Sequence, residues 1–570
     1  MPAPRPLDLN LRPYAGRFVA LVEGAIVAVG ETAADVLARA HAAQPQRRAV
    51  VLRIALPADP APGLPMTSTP FVSDTARRAH QTTLALAPDA CLVGGAVRDL
   101  LLAIPPKDLD YILAGNALNT ARRVADQLGA AYYPLDERRG LGRVVWKQQT
   151  GQGDEILVID YATLAEKTPA DDLNERDFTL NAILLQPDGT IFDPLGGAED
   201  LHTRRLRPCR HDSLPNDPVR ILRAARFLFT FHLHPDPSLE AQVRAAAPLL
   251  GTISPERRRD ELFKLLLLPE PHQPLTQLDA WGVLKAVFPD LTAAKNIEQS
   301  PPHVYDVYDH SLVTLRWLAR LDRLLRAETL PSDEIEVATF ATLAPHQTEL
   351  RRYLEHELVP GRPRWLWLRL AALAHDWGKP AARSEDADGR IRFFGHEDIS
   401  ARLVVAWAEA YRCGAGETAL ARQLCLHHMR PHYLSEHEGA IPSRRSLYRL
   451  YRDLGDDTPG LLLLNLADFL ATHGPDVALA SLRRHLAAVG HMLAPAFAGA
   501  QPAAAASLLS APLLDGNEIM SLTGLRPSPR IGVLLEQLRE AQAMGEVNDR
   551  EQAEAFIRQR AGPSAAANTT

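Results

Sequence analysis

The sequence predicts an α/β head followed by a mostly α-helical body, with a small α+β module in front. Three observations predict it. Residues 75–206 alternate helices with short β-rich segments, ACLVGG, LDYIL, RVVWKQ, EILVIDY and GTIFDPL, as a sheet with packed helices requires. After about residue 210, apolar residues take helical spacing almost throughout, as in PVRILRAARFLFTF, RRRDELFKLLLL and WLWLRLAALAHDW. Between them and the N-terminus, PADPAPGLPMTSTP (57–70) breaks all periodicity and reads as a linker.

Ahead of that linker, GRFVALVEGAIVAVGE reads as two strands around a tight Glu-Gly turn. TAADVLARAHAA reads as a Thr-capped helix and RRAVVLRIAL as a returning strand. This β-β-α-β module carries no residues arranged for chemistry and reads as an adaptor. The polar stretch 329–362 (LPSD, APHQ, VPGRPR) is expected to interrupt the helices, and the tail GPSAAANTT to be disordered. The expected divisions are 1–65 for module and linker, 75–208 for the head, 209–300 for a helical segment, 301–480 for a second helical domain and 481–570 for a C-terminal helical segment and tail.

Hydrophobic residues make up 46% of the 570 and charged residues 23%, as in soluble multidomain proteins. A net charge of −7 argues against a uniformly basic coat. It leaves room for a local basic surface that meets phosphate. The four cysteines, Cys91, Cys209, Cys413 and Cys425, have neither zinc-knuckle nor Cys-x-x-Cys spacing, which fits a reducing cytoplasm. MPAPRPLDLNLRPYAGR lacks the apolar core of a signal peptide, and no apolar run could span a bilayer. The expectation is a cytoplasmic protein with no membrane partner; nothing in the sequence fixes its oligomeric state.

CLVGGAVRDLLLAIPPKDLDYIL (91–113) carries the first chemistry. It reads as a strand, a Gly94-Gly95 turn, a helix and a second strand. Glycines let the backbone approach a ligand closely. The helix N-terminus behind them suits a triphosphate, with Arg98 adding a charged fork. On the next strand Asp108 and Asp110 share a face, because side-chain direction repeats every two residues. Two carboxylates side by side repel unless a cation lies between them. Hard oxygen ligands suit Mg²⁺, and two such ions could activate a 3′-hydroxyl and stabilise departing pyrophosphate. Asp160, the only acid inside ILVIDYA, is the candidate third carboxylate; a strand-end Asp is the competing reading. The joint arrangement resembles the nucleotide-binding core of the DNA polymerase beta superfamily. The string LVGGAVRD…KDLDY resembles its bacterial branch of CCA-adding tRNA nucleotidyltransferases and poly(A) polymerases.

Further strings extend the resemblance over roughly residues 77–560. NERDFTLNAI (174–183) is similar to the family's Arg-Asp-Phe-Thr-x-Asn-Ala pattern. The resemblance implies that Arg176 and Asp177 contact the incoming nucleotide; Glu175 stands where the family often has a second Arg. In NDPVRILRAARF (216–227), Asp217 and Arg220 are three apart, which on a helix puts them on one face. An Asp acceptor beside an Arg donor can imitate a base edge. The family pattern is Glu-Asp-x-x-Arg, with Asp and Arg pairing with CTP or ATP; here Asn216 replaces Glu. Arg223 and Arg226 extend a basic stripe, and the run Arg204–Arg210 is a candidate for RNA phosphate contact. Ser254 is a candidate cap, with Arg257 to Arg259 near an RNA-facing surface. Residues 513–557 resemble the family's tRNA-holding C-terminal segment.

A second set lies downstream. YDHSL places His310 near a helix start, and LAALAHDWGKP places His375-Asp376 at a helix end. GHEDIS adds His396, LCLHHMRP adds His427 and His428, and LNLADFLA adds Asp468. A buried His-Asp pair needs compensation, which a metal supplies. The set resembles an HD-type phosphohydrolase domain. The resemblance implies core ligands His310, His375, Asp376 and Asp468, with His396 and His428 for a second metal and His427 as the alternative to His428. Mixed imidazole and carboxylate ligation suits Mn, Fe, Ni or Zn. In related enzymes such a domain trims RNA ends.

The function implied is template-independent addition of CMP and AMP, from CTP and ATP, to a tRNA or other RNA 3′ end. Poly(A) synthesis, and A-only or C-only addition, are the rivals within the class. A phosphohydrolase with a non-catalytic head is the rival outside it.

Overall fold

The computed structural model describes residues 18–22, 25–30, 33–43, 50–53, 64–65, 73–150, 153–164, 167–326, 331–437, 441–500 and 511–561. The Glu23-Gly24 turn, the Thr32 cap, most of the 57–70 linker and the tail from 562 lie outside the described residues.

The N-terminal module has the expected order: β1 (Phe18–Val22), β2 (Ala25–Gly30), α1 (Ala33–Ala43) and β3 (Val50–Arg53), with β1 central and antiparallel to both neighbours. Val19, Ala20, Ala28, Val36 and Ala40 are buried in it.

The head is one eight-stranded sheet. Its elements are β4 (Leu64–Pro65), α2 (Asp74–Leu86), β5 (Cys91–Val93), α3 (Gly95–Leu101), β6 (Asp108–Leu113), α4 (Ala117–Leu128), β7 (Ala131–Asp136), β8 (Leu141–Thr150), β9 (Gly153–Thr163), β10 (Leu184–Leu185) and β11 (Thr190–Phe192). The strand order is β4-β11-β10-β5-β6-β9-β8-β7, and β6–β9 is its one parallel pair among the described residues. The five expected segments are present; β4, β7 and β10 were not legible. In β7 the apolar residues are half exposed and Pro134 interrupts the run, as an edge strand permits. Alternation along β6 sets the site. Leu109 and Tyr111 are buried in the core that includes Ala76, Ala79 and Val124 of the helices. Asp108 and Asp110 therefore face the other way.

The described chain divides into two compact units at Ile253/Ser254. That boundary falls inside the expected 209–300 segment. Before it, the backbone N–H of Leu214 donates to Gln242, and Arg220 donates to the carbonyls of Glu175 and Arg176. Beyond it, Arg259 donates to the carbonyls of Tyr411 and Arg412, and Trp407 to that of Val287.

The second unit is helical. Helices Val307–Leu325, Arg364–Ala374, His396–Ala410, Ala415–His427 and Thr458–His473 form its heart. The stretch 329–362 corrects the expectation. It holds two helices, Glu334–Leu343 and Gln347–Glu355, and a hairpin of Glu357–Val359 with Arg362–Pro363. Asp333 caps the first helix by accepting from the backbone of Glu336; Leu343, Leu350 and Leu354 are buried; Pro331 precedes the first helix and Pro360-Gly361 makes the hairpin turn. Ser254 stands at its cap position but makes no side-chain cap hydrogen bond. Three C-terminal helices, Gly516–Thr523, Pro529–Met544 and Arg550–Ala561, share a core of Leu514, Ile519, Leu538 and Ile557. Among the described residues no helix is long and apolar enough to cross a membrane.

Candidate active site and candidate metal centre

Gly94 makes the turn between β5 and α3 at φ +83°, a conformation that L side chains rarely adopt. A Cβ there would meet Arg176 Nη1 at 2.7 Å and Asp110 Oδ2 at 3.6 Å. The diglycine bend, Arg176 and Asp110 thus surround one small space at the N-terminus of α3. Asp110 pairs with Val93 of β5 on one side and with Asp160 of β9 on the other. Burial, then the neighbouring Asp108, push the Asp110 carboxyl up to about 6, against the opposing pull of Arg176. Neighbouring carboxylates crowded in this way fit a hard divalent cation such as Mg²⁺.

Two site residues stand differently from expectation. Arg98 is only 9% exposed: its guanidinium donates to Asn181 and Asp99 and lies 4.4 Å from the Phe231 ring centroid. It braces α3 from behind the bend. Asp160 is gripped by Arg143 through two hydrogen bonds of 2.8 Å each.

Behind Arg176, Asp177 is buried and accepts from Arg223, Asn181 and the amide of Phe178. Burial works against its charge, yet Arg223 and those donors hold its carboxyl below the usual range. Asp217 corrects the helix expectation. The helix is Arg220–Thr230, and Asp217 stands ahead of it in a non-helical conformation, as suits a residue preceding Pro218. The pair still meets, at 3.8 Å. Arg220 donates to the carbonyls of Glu175, Arg176 and Ser213, so it ties the helix start to the Arg176 segment. The Arg204–Arg210 run is largely absorbed by structure: Arg205 and Arg207 both bind the fully buried Asp200. Arg259 is likewise buried.

In the second unit, His310, His375, Asp376, His396, His428 and Asp468 converge. His375 Nε2 lies 3.4 Å from His310 Nε2 and 3.2 Å from Asp376 Oδ2. His396 Nε2 lies 3.1 Å from His428 Nε2 and 3.3 Å from Asp376 Oδ1. His310 Nε2 reaches Asp468 Oδ1 at 2.9 Å. Three of these rings are oriented alike: the Nδ1 of His375, His396 and His428 faces the carbonyl three residues before it, at 3.0, 2.7 and 2.6 Å. A carbonyl only accepts, so each Nδ1 donates its proton there and each Nε2 is left to face the centre. Asp376 Oδ1 is buried without a hydrogen-bond partner. Imidazole nitrogens turned inward around an unbonded carboxylate oxygen fit cations. Asp376 belongs to both possible metal triplets, one with His310 and His375, the other with His396 and His428. Burial would raise its carboxyl, but His375 and Lys379 hold it well below the usual range. Gly378 permits this closeness, since a Cβ there would lie 2.2 Å from the His396 carbonyl.

The structure distinguishes the adjacent histidines: His428 joins the cluster, whereas His427 stands outside both triplets. It also adds residues that sequence reading missed. Lys379 Nζ lies 2.7 Å from Asp376 Oδ2, and His432 Nε2 3.0 Å from Asp468 Oδ2. Both stood in view, Lys379 in HDWGKP and His432 four residues after His428. They line a cavity of about 800 Å³ together with Arg390, Arg392, Tyr433 and Arg484.

A diglycine bend facing alternate acids on the next strand defines a nucleotidyltransferase head. Residues 90–207 match the Poly A polymerase head domain family, and 232–295 the family described as the probable RNA and SrmB-binding site of polymerase A. Residues 10–53 match a family of unknown function. The chain is 34% identical to the A-adding tRNA nucleotidyltransferase of Deinococcus radiodurans over 477 residues, 82% of this chain and 95% of the relative. It is 31% identical to the CC-adding tRNA nucleotidyltransferase of Thermus thermophilus, over 82% of this chain and 93% of the relative. A CCA-adding enzyme in an apo form shares the fold at TM-score 0.54 and 18% identity, covering 85% of this chain and 94% of the other. The chain belongs to the tRNA nucleotidyltransferase and poly(A) polymerase family and is a nucleotidyltransferase.

Proposed function

We propose that this chain adds CMP and AMP, from CTP and ATP, to the 3′ end of tRNA in the cytoplasm. The observation that carries the reading is the pair Asp108 and Asp110 on one face of β6, beside the Gly94 bend. Asp108 and Asp110 would hold Mg²⁺, which supplies charge neutralisation at the reacting phosphate and a more acidic attacking hydroxyl. Gly94, Gly95 and the N-terminus of α3 take the triphosphate, with Arg176 against its charge. Asp177 with Arg223 orders the segment that carries Arg176, and Asp217 with Arg220 offers an acceptor and a donor to the base. Relatives named for addition to tRNA, and a solved CCA-adding enzyme in complex with ATP, support the substrate class. The test is incubation with tRNAs ending before the CCA, after C and after CC, with each labelled nucleotide in turn. Asp110→Ala should abolish incorporation while leaving the fold intact; undiminished incorporation overturns the metal assignment.

A narrower reading, addition of A alone or of C alone, is favoured by one observation. Relatives matching four fifths of this chain bear the names A-adding and CC-adding. Use of ATP only on tRNA ending in CC, or of CTP only on shorter ends, selects it.

The histidine–aspartate centre reads as a second active site, a dinuclear phosphohydrolase for RNA ends. His310, His375, Asp376 and Asp468 would hold one transition metal ion, and His396 and His428 with Asp376 the second. Such ions supply a hydroxide nucleophile at neutral pH. Lys379 and the cavity arginines set positive charge where a phosphoester enters. Release of phosphate or opening of a 2′,3′-cyclic phosphate, lost in His375→Ala, tests it.

A further inference from the structure

Four strands carry one transverse row of residues. Val93 of β5 pairs with Asp110 of β6, Asp110 with Asp160 of β9, and Asp160 with Arg143 of β8. Directly paired residues share a face. Arg143 therefore stands on the same face as the Asp pair, two strands away, roughly 10 Å along the row at the usual strand spacing. Its guanidinium is fixed by both oxygens of Asp160. Its side chain is still 41% exposed.

The row has a direction. The Gly94 bend, the N-terminus of α3 and Arg176 lie on the β5 side of Asp110. On the nucleotidyl-transfer reading, which this inference rests on, the triphosphate and its departing pyrophosphate lie there. In-line displacement puts the attacking oxygen opposite the leaving group. The RNA 3′ end must then come in over β9 and β8, where Arg143 stands. A strand end that delivers a hydroxyl also brings the phosphodiester just behind it. A fixed, part-exposed guanidinium is the side chain suited to that phosphate.

We propose that Arg143 binds the last phosphodiester of the RNA primer and that Asp160 is its positioning residue. Both Asp160 oxygens that a third metal ligand would use already accept from Arg143. The charge pattern agrees: the acids Asp108 and Asp110 lie between two cations, Arg176 on the nucleotide side and Arg143 on the primer side. The assignment stands against the expectation that Asp160 completes the metal cage, and the test below separates the two.

The test compares Arg143→Ala, Arg143→Lys and Asp160→Asn in the full chain, each checked by circular dichroism. Initial rates are measured against truncated tRNA, against nucleotide and against Mg²⁺. Arg143→Ala should raise the KM for primer about tenfold or more, the worth of one charge-assisted hydrogen bond. The KM for nucleotide and the half-saturating Mg²⁺ should move less than about twofold, because ground-state contacts elsewhere are untouched. Asp160→Asn should shift primer KM in the same direction, and Arg143→Lys should restore part of the loss. If Asp160→Asn instead raises the Mg²⁺ requirement while Arg143→Ala leaves primer KM unchanged, Asp160 is a metal ligand and the proposal falls. If the wild-type chain incorporates nucleotide and Arg143→Ala behaves identically, the proposal falls and the function stands. If the wild-type chain incorporates nothing on any tRNA end, the function falls and takes this inference with it.

Discussion

His396 and His428 turn their Nε2 atoms toward one another across 3.1 Å, each ring held by its Nδ1 proton given to a backbone carbonyl. Two imidazole nitrogens turned inward at that distance, beside Asp376, fit a shared cation. Metal should therefore be a structural partner of this unit as well as a reactant. Stripping metal with a chelator should lower the stability of the second unit by about 3 kcal/mol or more, read as a drop in its thermal midpoint that added Mn²⁺ or Ni²⁺ reverses. Elemental analysis should show that His428→Ala loses one metal equivalent and keeps the one at His310, His375 and Asp376. An unchanged metal content would contradict the dinuclear arrangement.

Asp110 makes the opposite use of crowding. Its carboxyl is raised from 3.8 to about 6 by burial and by Asp108. Between those values the folded, metal-free protein binds a proton that the unfolded chain does not. Stability therefore falls as pH rises through that window, and the penalty, on the order of 2–3 kcal/mol, is complete above it. Asp110→Asn should raise the metal-free thermal midpoint at neutral pH by a few degrees. It should also remove the stabilisation that Mg²⁺ gives the wild type. A lowered midpoint in chelator would show that Asp110 supports the fold.

Gly94→Ala should be folded and inactive. The positive φ costs an alanine about 1–2 kcal/mol, and its Cβ would displace the Arg176 guanidinium, 2.7 Å away. Nucleotide incorporation should drop by roughly a hundredfold or more, since misplacing an oriented group is felt that strongly. Retention of wild-type rates would remove the bend from the site.

Arg98→Ala should destabilise the head by about 2–4 kcal/mol, because it leaves buried partners unsatisfied. Asn181 and Asp99 lose their donor, and the Phe231 ring its cation. Urea unfolding reads the loss. A variant of unchanged stability with a raised nucleotide KM would return Arg98 to the triphosphate.

Acid stability has its own handle. Arg320 clamps Glu336, whose carboxyl is lowered from 4.5 to about 2, first by that hydrogen bond. The stabilisation is complete above the unfolded value and is lost as pH falls through about 2. Glu336→Gln should unfold at a higher pH than the wild type in an acid titration, with the two converging at the acid extreme.

Much of the head was legible because its signals are local. Alternation along DLDY puts Asp108 and Asp110 on one face whatever surrounds them, and a diglycine between strand and helix marks a close backbone approach. The histidine–aspartate residues were also found one by one, since each stands on an apolar helical string. Asp217 was misread as helical because a three-residue spacing was weighed above Pro218, which keeps the preceding residue out of the helix. The helices of 334–355 were missed because polar breakers outweighed three well-spaced leucines.

By itself the sequence determined which side chains share a face or a turn, and so the two residue sets and the family. That information lives in spacings of two to four residues, fixed by strand and helix periodicity. Only the tertiary structure decided that β9 runs parallel to β6 with Asp160 opposite Asp110, that Arg143 grips Asp160, and that Arg98 is buried. It also decided that His428 and not His427 turns inward, with Lys379 and His432 beside the centre. Strand register and helix packing join residues far apart in the chain, and their energy comes from burial and from charge neutralised at a distance, which no local spacing encodes.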